Sequence, residues 1–189
     1  MTHHVEGMSA EEALARLKEG NAVYVASGAP AGDVSAARRE ELAAGQAPFA
    51  LIVACSDSRV VPETVFSCGL GELFVIRVAG NVIGGHALGS IEYATEHLGV
   101  RLVVALGHTH CGAVGAAIAG EEDGLVGMIT RDIQDAIGGE TDPRAASAAN
   151  ACYAADRIRE SFGLDTREDA FAVMPALYDI ETGEVEWLA

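Results

Sequence analysis

Three residues have the types and the spacing of a metal site. His108 and Cys111 stand three positions apart, and Cys55 follows a separate apolar run. Thiolate sulfur and imidazole nitrogen are ligands that Zn²⁺ prefers, and a catalytic zinc keeps its fourth position open for water. A set of two cysteines and one histidine therefore favours a zinc site with one open position. His110 lies on the same turn, and the spacing alone leaves it as an alternative ligand.

Asp57 and Arg59 form a second pair of chemically active side chains. They lie two positions apart in the segment Cys-Ser-Asp-Ser-Arg, so both can point to one side of an extended turn and form an ion pair. Arginine presents a planar fork that matches a carboxylate. We expect Asp57 either to accept a hydrogen bond from water on the metal or to bind the metal itself as a fourth ligand. The two roles exclude each other.

The segments that must position these residues alternate between strands and helices. Continuous apolar runs predict strands that are buried on both faces. The predicted strands are 49–55, 73–78, 101–106, 169–174 and 185–188, and the predicted helices are 9–26, 34–44, 88–98, 112–120, 125–137 and 143–162. This order predicts an α/β fold with a mostly parallel central sheet flanked by helices. Ligands of such sheets bind beyond the carboxyl ends of the strands, where Cys55 and the 107–112 segment lie.

The composition limits the class of protein. The chain has 189 residues, 50% of them hydrophobic and 21% charged, which is typical of one globular domain. A formal net charge of −16 disfavours nucleic acid and anionic membranes as partners. No apolar run is long enough to span a membrane and no secretory pattern opens the chain, so a cytoplasmic protein is expected. Cys68 and Cys152 are interpreted as structural residues and not as a disulfide framework.

Four segments together resemble the β-class carbonic anhydrases. They are Cys-Ser-Asp-Ser-Arg at 55–59, Arg-Val-Ala-Gly-Asn at 77–81, Gly-Ser-Ile-Glu-Tyr-Ala at 89–94 and Gly-His-Thr-His-Cys-Gly at 107–112. The resemblance extends from about Ala13 to Leu188, and C-x-D-x-R followed by H-x-x-C is much more specific than either half alone. It implies the zinc-dependent, reversible hydration of carbon dioxide to bicarbonate and a proton by hydroxide on the zinc.

The resemblance also implies roles for single residues. One zinc ion per chain would be bound by Cys55, His108 and Cys111, which makes His110 a bystander, and the catalytic pair would be Asp57 with Arg59. Five further positions match residues that bind the substrate or line its pocket: Gln46, Phe74, Ala79, Tyr93 and Gly112. Ala79 is smaller than the valine often found there, which would widen the pocket.

In the family, the Gln, Phe and Tyr positions reach the metal from a neighbouring subunit. The resemblance therefore implies a homodimer or a dimer of dimers. Residues 1–45 would form a helical arm that packs on the partner, and residues 46–189 the α/β core of the same single domain, 1–189. Relatives that bicarbonate inhibits carry Trp where this chain has Ile52, so little or no such inhibition is expected. Two rival functions are hydrolysis of carbonyl sulfide or carbon disulfide on the same scaffold, and a non-catalytic zinc protein.

Overall fold

The computed structural model of this chain describes residues 7–27, 32–166 and 171–188. The described strands are β1 Ala50–Ala54, β2 Leu73–Arg77, β3 Leu102–His108, β4 Ala172–Tyr178 and β5 Val185–Trp187. The described α-helices are α1 Ala10–Ser27, α2 Ala36–Glu41, α3 Pro62–Val65, α4 Gly85–His97, α5 Gly112–Ile118, α6 Val126–Ile137 and α7 Pro143–Phe162. Short 3₁₀ turns cover Leu42–Ala44, Ala79–Asn81 and Leu164–Thr166. No helix in these described ranges has the length and apolar character needed to cross a bilayer.

The strands form one sheet in the order β2-β1-β3-β4-β5. Strands β1 to β4 pair in parallel, and β5 pairs antiparallel to β4. Every residue of β1 and β3 is buried, because helices cover both faces of these central strands. Ile52 packs with Leu17 of α1 on one face, whereas Val53 packs with Ile91 of α4 and Ile158 of α7 on the other. The predicted α/β fold with a mostly parallel sheet is confirmed.

The register of β1 and β3 brings two chemically active segments to the same edge of the sheet. Ala54, the last residue of β1, pairs with Leu106 of β3. Cys55 follows β1 directly, and β3 continues to His108, two residues beyond its predicted end. Because neighbouring parallel strands lie about 4.8 Å apart, side chains that follow them can meet at one point.

The fourth strand is displaced from its predicted position. It was expected at 169–174, of which 169 and 170 lie outside the described residues, but it runs from Ala172 to Tyr178 and passes through Pro175. Proline lacks an N–H donor and usually ends a central strand. Here the Pro175 carbonyl accepts from Leu188 N, so the backbone of Pro175 faces the β5 side of the strand. Pairing between β4 and β5 starts only at the next residue, Ala176, so no strand bond needs the absent N–H. The strand therefore tolerates the proline.

The first helix of the predicted arm packs on the chain's own core. Ala13 and Leu17 of α1 are fully buried against the sheet. Asn21 of the same helix donates to the carbonyls of Val65 and Gly183. In contrast, the helix α2 and the 3₁₀ turn that follows it contain no buried residue. Within the described part of the arm, α2 and the turn after it therefore lie over the surface.

Candidate metal centre

Three predicted ligands meet beyond the ends of β1 and β3. The ligand atoms of Cys55, His108 and Cys111 all lie within 4.8 Å of one another. All three residues are buried, and the two cysteines pack in an apolar cluster with Val114 and Ile133 from α5 and α6. This geometry matches a site with two thiolates and one imidazole, which suits zinc and leaves a fourth coordination position open.

The His108 ring is oriented for metal binding. Its Nδ1 lies 2.9 Å from the carbonyl oxygen of Thr109. A carbonyl only accepts hydrogen bonds, so Nδ1 carries the proton and Nε2 keeps a free lone pair. Among the described residues, Nε2 is one of few buried side-chain nitrogen or oxygen atoms without a hydrogen-bond partner. A buried, unpaired acceptor is unfavourable unless a cation occupies the position it faces.

The Cys55 sulfur accepts hydrogen bonds from two backbone amides. It receives hydrogen bonds from the N–H groups of Gly80 at 3.2 Å and Asp57 at 3.4 Å. Hydrogen bonding, first from the Cys111 thiol and then from these two amides, holds the pKa of Cys55 well below its usual range. The pKa of Cys111 is raised, because its thiol donates to Cys55 and because it is buried. The Cys55 sulfur is thus the more readily ionised of the two.

The structure decides between the two histidines of the turn. His110 has a left-handed backbone, with φ of 56°. Its ring is 59% exposed, and its Nε2 lies 3.5 Å from Glu181 Oε1. His108, by contrast, is 1% exposed and belongs to the ligand cluster. His110 is therefore excluded as the third member of this cluster.

Asp57 and Arg59 form a bidentate ion pair beside the ligands. Arg59 donates through Nε to Oδ1 and through Nη2 to Oδ2, and its backbone N–H also donates to Oδ1. These side-chain hydrogen bonds hold the pKa of Asp57 well below its usual range. Both carboxylate oxygens are thus engaged by Arg59, and Asp57 is not part of the ligand cluster. Of the two roles considered for Asp57, the structure shows the carboxylate paired with Arg59 and not placed among the ligands.

Three residues that support the centre were not singled out from the sequence. Arg77 donates to the carbonyls of Cys55 at 3.1 Å and Asp57 at 2.6 Å, which clamps the loop between them. Thr109 Oγ1 accepts from Ile180 N, which ties the histidine turn to the β4–β5 turn. Asn150 of α7 donates to the Gly80 carbonyl. Arg77 and Thr109 lie in the segments at 77–81 and 107–112 that carry the resemblance, but no local pattern points to the partners of Thr109 or Asn150.

The predicted substrate-binding residues divide into two groups. Ala79 and Gly112 adjoin the centre: Ala79 precedes the amide that donates to Cys55, and Gly112 follows Cys111 with no heavy atom within 4 Å of a Cβ built on it. Gln46 is exposed, and Phe74 packs against the 47% exposed ring of Tyr93, with centroids 6.3 Å apart. In the described ranges, no hydrogen bond or ring contact joins these last three residues to the metal ligands of their own chain.

Comparison with known proteins gives a consistent result. Residues 50–185 match the family model described as carbonic anhydrase. The chain is 50% identical over 122 residues to carbonic anhydrase 2 of Mycobacterium tuberculosis and 44% identical over 122 residues to the carbonic anhydrase of Mycolicibacterium smegmatis. Each alignment covers 64% of this chain and 59% of the relative, so the chain spans less than two thirds of the length of these curated relatives.

Solved structures are similar over most of the chain. The β-carbonic anhydrase CcaA superposes with a TM-score of 0.68 at 25% identity, covering 94% of this chain and 92% of that one. One of the two tetrameric β-carbonic anhydrases of Sordaria macrospora superposes with a TM-score of 0.67 at 26% identity, covering 80% and 85%.

Proposed function

Since this chain belongs to the carbonic anhydrase family, in its β class, we propose that it catalyses the reversible hydration of carbon dioxide to bicarbonate and a proton. The observation that carries this proposal is the ligand cluster of Cys55, His108 and Cys111 with the ion pair of Asp57 and Arg59 beside it. A purely structural metal site needs no carboxylate held next to it.

The donor set fits one zinc ion per chain. The free lone pair of His108 Nε2 and the two neighbouring sulfurs are the kinds of ligand that Zn²⁺ takes in tetrahedral sites. When bound, zinc supplies a nucleophile near neutral pH because it lowers the pKa of water from about 15.7 to about 7. Apolar neighbours such as Val114 and Ile133 exclude competing water from the site.

Asp57 orients the nucleophile in this proposal. Its carboxylate is ionised and held in one position by Arg59, so it can accept a hydrogen bond from the attacking oxygen. An acceptor on one side of that oxygen turns a lone pair toward the carbon of carbon dioxide. Arg59 does not touch the substrate in this scheme and acts by fixing Asp57.

The pocket for carbon dioxide would be completed by a second copy of the chain. Ala79 and Gly112 line the pocket from the same chain, whereas Gln46, Phe74 and Tyr93 of one subunit face the centre of the other. The exposure of Gln46 and Tyr93 in the single chain supports this division. Gln46 would donate to an oxygen of bicarbonate, and the two rings would form an apolar wall.

The quaternary arrangement is a homodimer or a dimer of dimers in this proposal. Residues 1–189 form a single domain, in which the arm at 1–45 contacts the partner and 46–189 form the core. The absence of buried residues in α2 supports a role for this half of the arm in subunit contact.

The cytoplasmic location stays a prediction, and fractionation of cells that express the protein tests it.

Mixing two inactive variants tests the shared pocket. Asp57→Asn removes the carboxylate and Tyr93→Ala removes the aromatic wall, so each variant alone is expected to be slow. If Tyr93 serves the neighbouring subunit, mixed dimers hold one centre with both changes and one with neither, and activity returns in part. Mixed dimers as slow as their parents, in a mixture proven to exchange subunits, contradict the proposal.

Stopped-flow hydration of carbon dioxide tests the activity itself. Protein with one zinc per chain is compared with chelated protein and with chelated protein to which zinc has been returned. Activity is expected to follow zinc content. Parallel assays with carbonyl sulfide and carbon disulfide identify a related hydrolase, and added bicarbonate tests the prediction from Ile52. A fully zinc-loaded protein that does not accelerate hydration contradicts the proposed function.

A further inference from the structure

The hydrogen bond from Gly80 to the Cys55 sulfur depends on an unusual backbone segment. Gly80 has φ of 66° and ψ of 16°, and the next residue, Asn81, also has positive φ, at 46°. A Cβ on Gly80 would lie 2.6 Å from Ile133 Cδ1 and 3.1 Å from Ala113 Cβ. Two consecutive residues in the left-handed region are costly unless the surroundings hold them there.

A side chain from a distant helix holds this segment. Asn150 Nδ2, on α7, donates to the Gly80 carbonyl oxygen at 2.8 Å. Asn150 is 3% exposed and lies seventy positions further along the chain. The Gly80 carbonyl belongs to the peptide that follows the Gly80 Cα, and the N–H that donates to Cys55 belongs to the peptide before it. Asn150 therefore fixes the backbone on the side of Gly80 that Cys55 does not contact.

We propose that Asn150 is a positioning residue of the metal centre, which keeps the Gly80 N–H directed at the Cys55 sulfur. The inference rests on the metal site of the proposed function, but not on the reaction that occurs there. An N–H donor draws charge from a thiolate and fixes its direction, so its loss changes both the strength and the geometry of the metal bond. Asn150 acts on the metal through Gly80 and Cys55 and touches neither metal nor substrate.

Packing alone does not account for this asparagine. Most of the other buried residues of α7 are small and apolar, namely Ala146, Ala151, Ala154 and Ala155. A buried amide costs free energy unless it forms hydrogen bonds, and an apolar residue of similar volume avoids that cost. Instead, Asn150 donates through Nδ2 to the Gly80 carbonyl, in the segment that contacts the metal ligand Cys55.

The test compares Asn150→Leu with a control on the same helix. Asn150→Leu keeps approximate volume and removes the donor. Ser147 is also buried, and Ser147→Ala removes its hydrogen bond from Oγ to the Pro143 carbonyl within α7 without changing the contact to Gly80. Zinc affinity is measured by competition with a chelator, and the cobalt-substituted proteins are compared by their thiolate-to-cobalt absorption band. Loss of a partner of this kind lowers metal affinity by roughly 10- to 100-fold.

Asn150→Leu is expected to lose metal affinity in that range and to shift the cobalt band, whereas Ser147→Ala retains both. Wild-type affinity and an unchanged band in Asn150→Leu would overturn the proposal, as would an equal loss in Ser147→Ala.

The wild-type protein offers a second measurement that needs no variant. In cadmium-substituted protein, an NMR correlation between the Gly80 amide proton and the cadmium nucleus is expected through the sulfur, and its absence also overturns the proposal. Metal binding without carbon dioxide hydration would refute the proposed function and leave this inference intact.

Discussion

The guanidinium of Arg59 donates to both carboxylate oxygens of Asp57, at 2.9 Å from Nε and 2.7 Å from Nη2. The same Nη2 lies 3.1 Å from the carbonyl oxygen of His110, on the turn between two metal ligands. Arg59 thereby joins the Asp57 carboxylate to the turn that carries His108 and Cys111. The carboxylate is held beside the ligands, ionised and outside the ligand set.

Replacing Asp57 by Asn separates its catalytic role from metal binding. The amide keeps the shape of the carboxylate, but it presents a donor where an acceptor is required. We expect the rate of carbon dioxide hydration to fall by about 100-fold or more, with zinc content unchanged. Asp156→Asn is the matched control, because Asp156 pairs with Arg159 on the exposed surface of α7. Full activity of Asp57→Asn in stopped-flow assays would refute the role assigned to Asp57.

Removing the metal should destabilise the protein through the ligand cluster. Zinc that binds only the folded chain adds about 4 kcal/mol when its free concentration is about 1,000 times the Kd. Chelation is therefore expected to lower the Tm, and Cys111→Ser is expected to abolish this sensitivity. Cys152→Ser, which changes a cysteine outside the cluster, should keep it. A chelator-independent Tm in zinc-loaded wild-type protein would show that the cluster binds no structurally coupled metal.

Thr109→Val tests the link between the histidine turn and the β4–β5 turn. Valine has the same shape without the hydroxyl that accepts from Ile180 N at 3.1 Å. Leaving that amide without its partner is expected to cost about 1–3 kcal/mol in the free energy of unfolding, measured by urea denaturation. Thr109→Ser keeps the hydroxyl and should lose less. An unfolding free energy of Thr109→Val equal to that of the wild type would show that this hydrogen bond does not stabilise the turn.

Cys68 should make the protein sensitive to alkaline pH. Burial, followed by the nearby charge of Glu72, raises the pKa of this thiol from 9.0 to about 12. The unfolded chain releases the proton near pH 9, but the folded chain retains it, so stability is complete below pH 9 and falls between pH 9 and pH 12. Cys68→Ala lacks this titrating thiol. Its unfolding free energy relative to wild type should therefore rise across this interval, and a constant difference would contradict the assignment.

Gly80→Ala probes the tight backbone next to Cys55. The new Cβ meets Ile133 Cδ1 at 2.6 Å in addition to the cost of positive φ. Gly120→Ala is the matched control, since Gly120 has φ of 76° and no heavy atom within 4 Å of its Cβ position. The loss in Gly80→Ala should exceed that in Gly120→Ala by about 1–3 kcal/mol.

A double-mutant cycle locates the source of that excess. Ile133→Val removes the Cδ1 atom, so the combination with Gly80→Ala should be less destabilised than the sum of the two single changes. Additive losses, measured by thermal or urea unfolding, would show that the contact with Ile133 does not limit this position.

Several features of this protein follow from the sequence by itself. Continuous apolar runs identify strands that are buried on both faces, and their alternation with helices predicts the parallel sheet. The chemistry of the donor atoms also follows from the sequence, because Cys55, Cys111 and a histidine at 108 or 110 form a ligand set that suits zinc. The C-x-D-x-R and H-x-x-C segments together identify the family. These inferences use short sequence segments and the rule that ligands bind at the carboxyl ends of parallel strands.

Other features were decided only by the tertiary structure. The residues alone left His108 and His110 as alternative ligands, and only the family resemblance chose His108. The structure places the buried His108 in the ligand cluster and the exposed His110 ring beside Glu181. The pairing of Asp57 with Arg59, instead of a place among the ligands, depends on how the loop folds back. Asn150 reaches Gly80 across seventy positions because α7 packs against β3 and the Gly80 turn. Local pattern states which side chains are available, but the register of strands and the packing of helices decide which atoms meet.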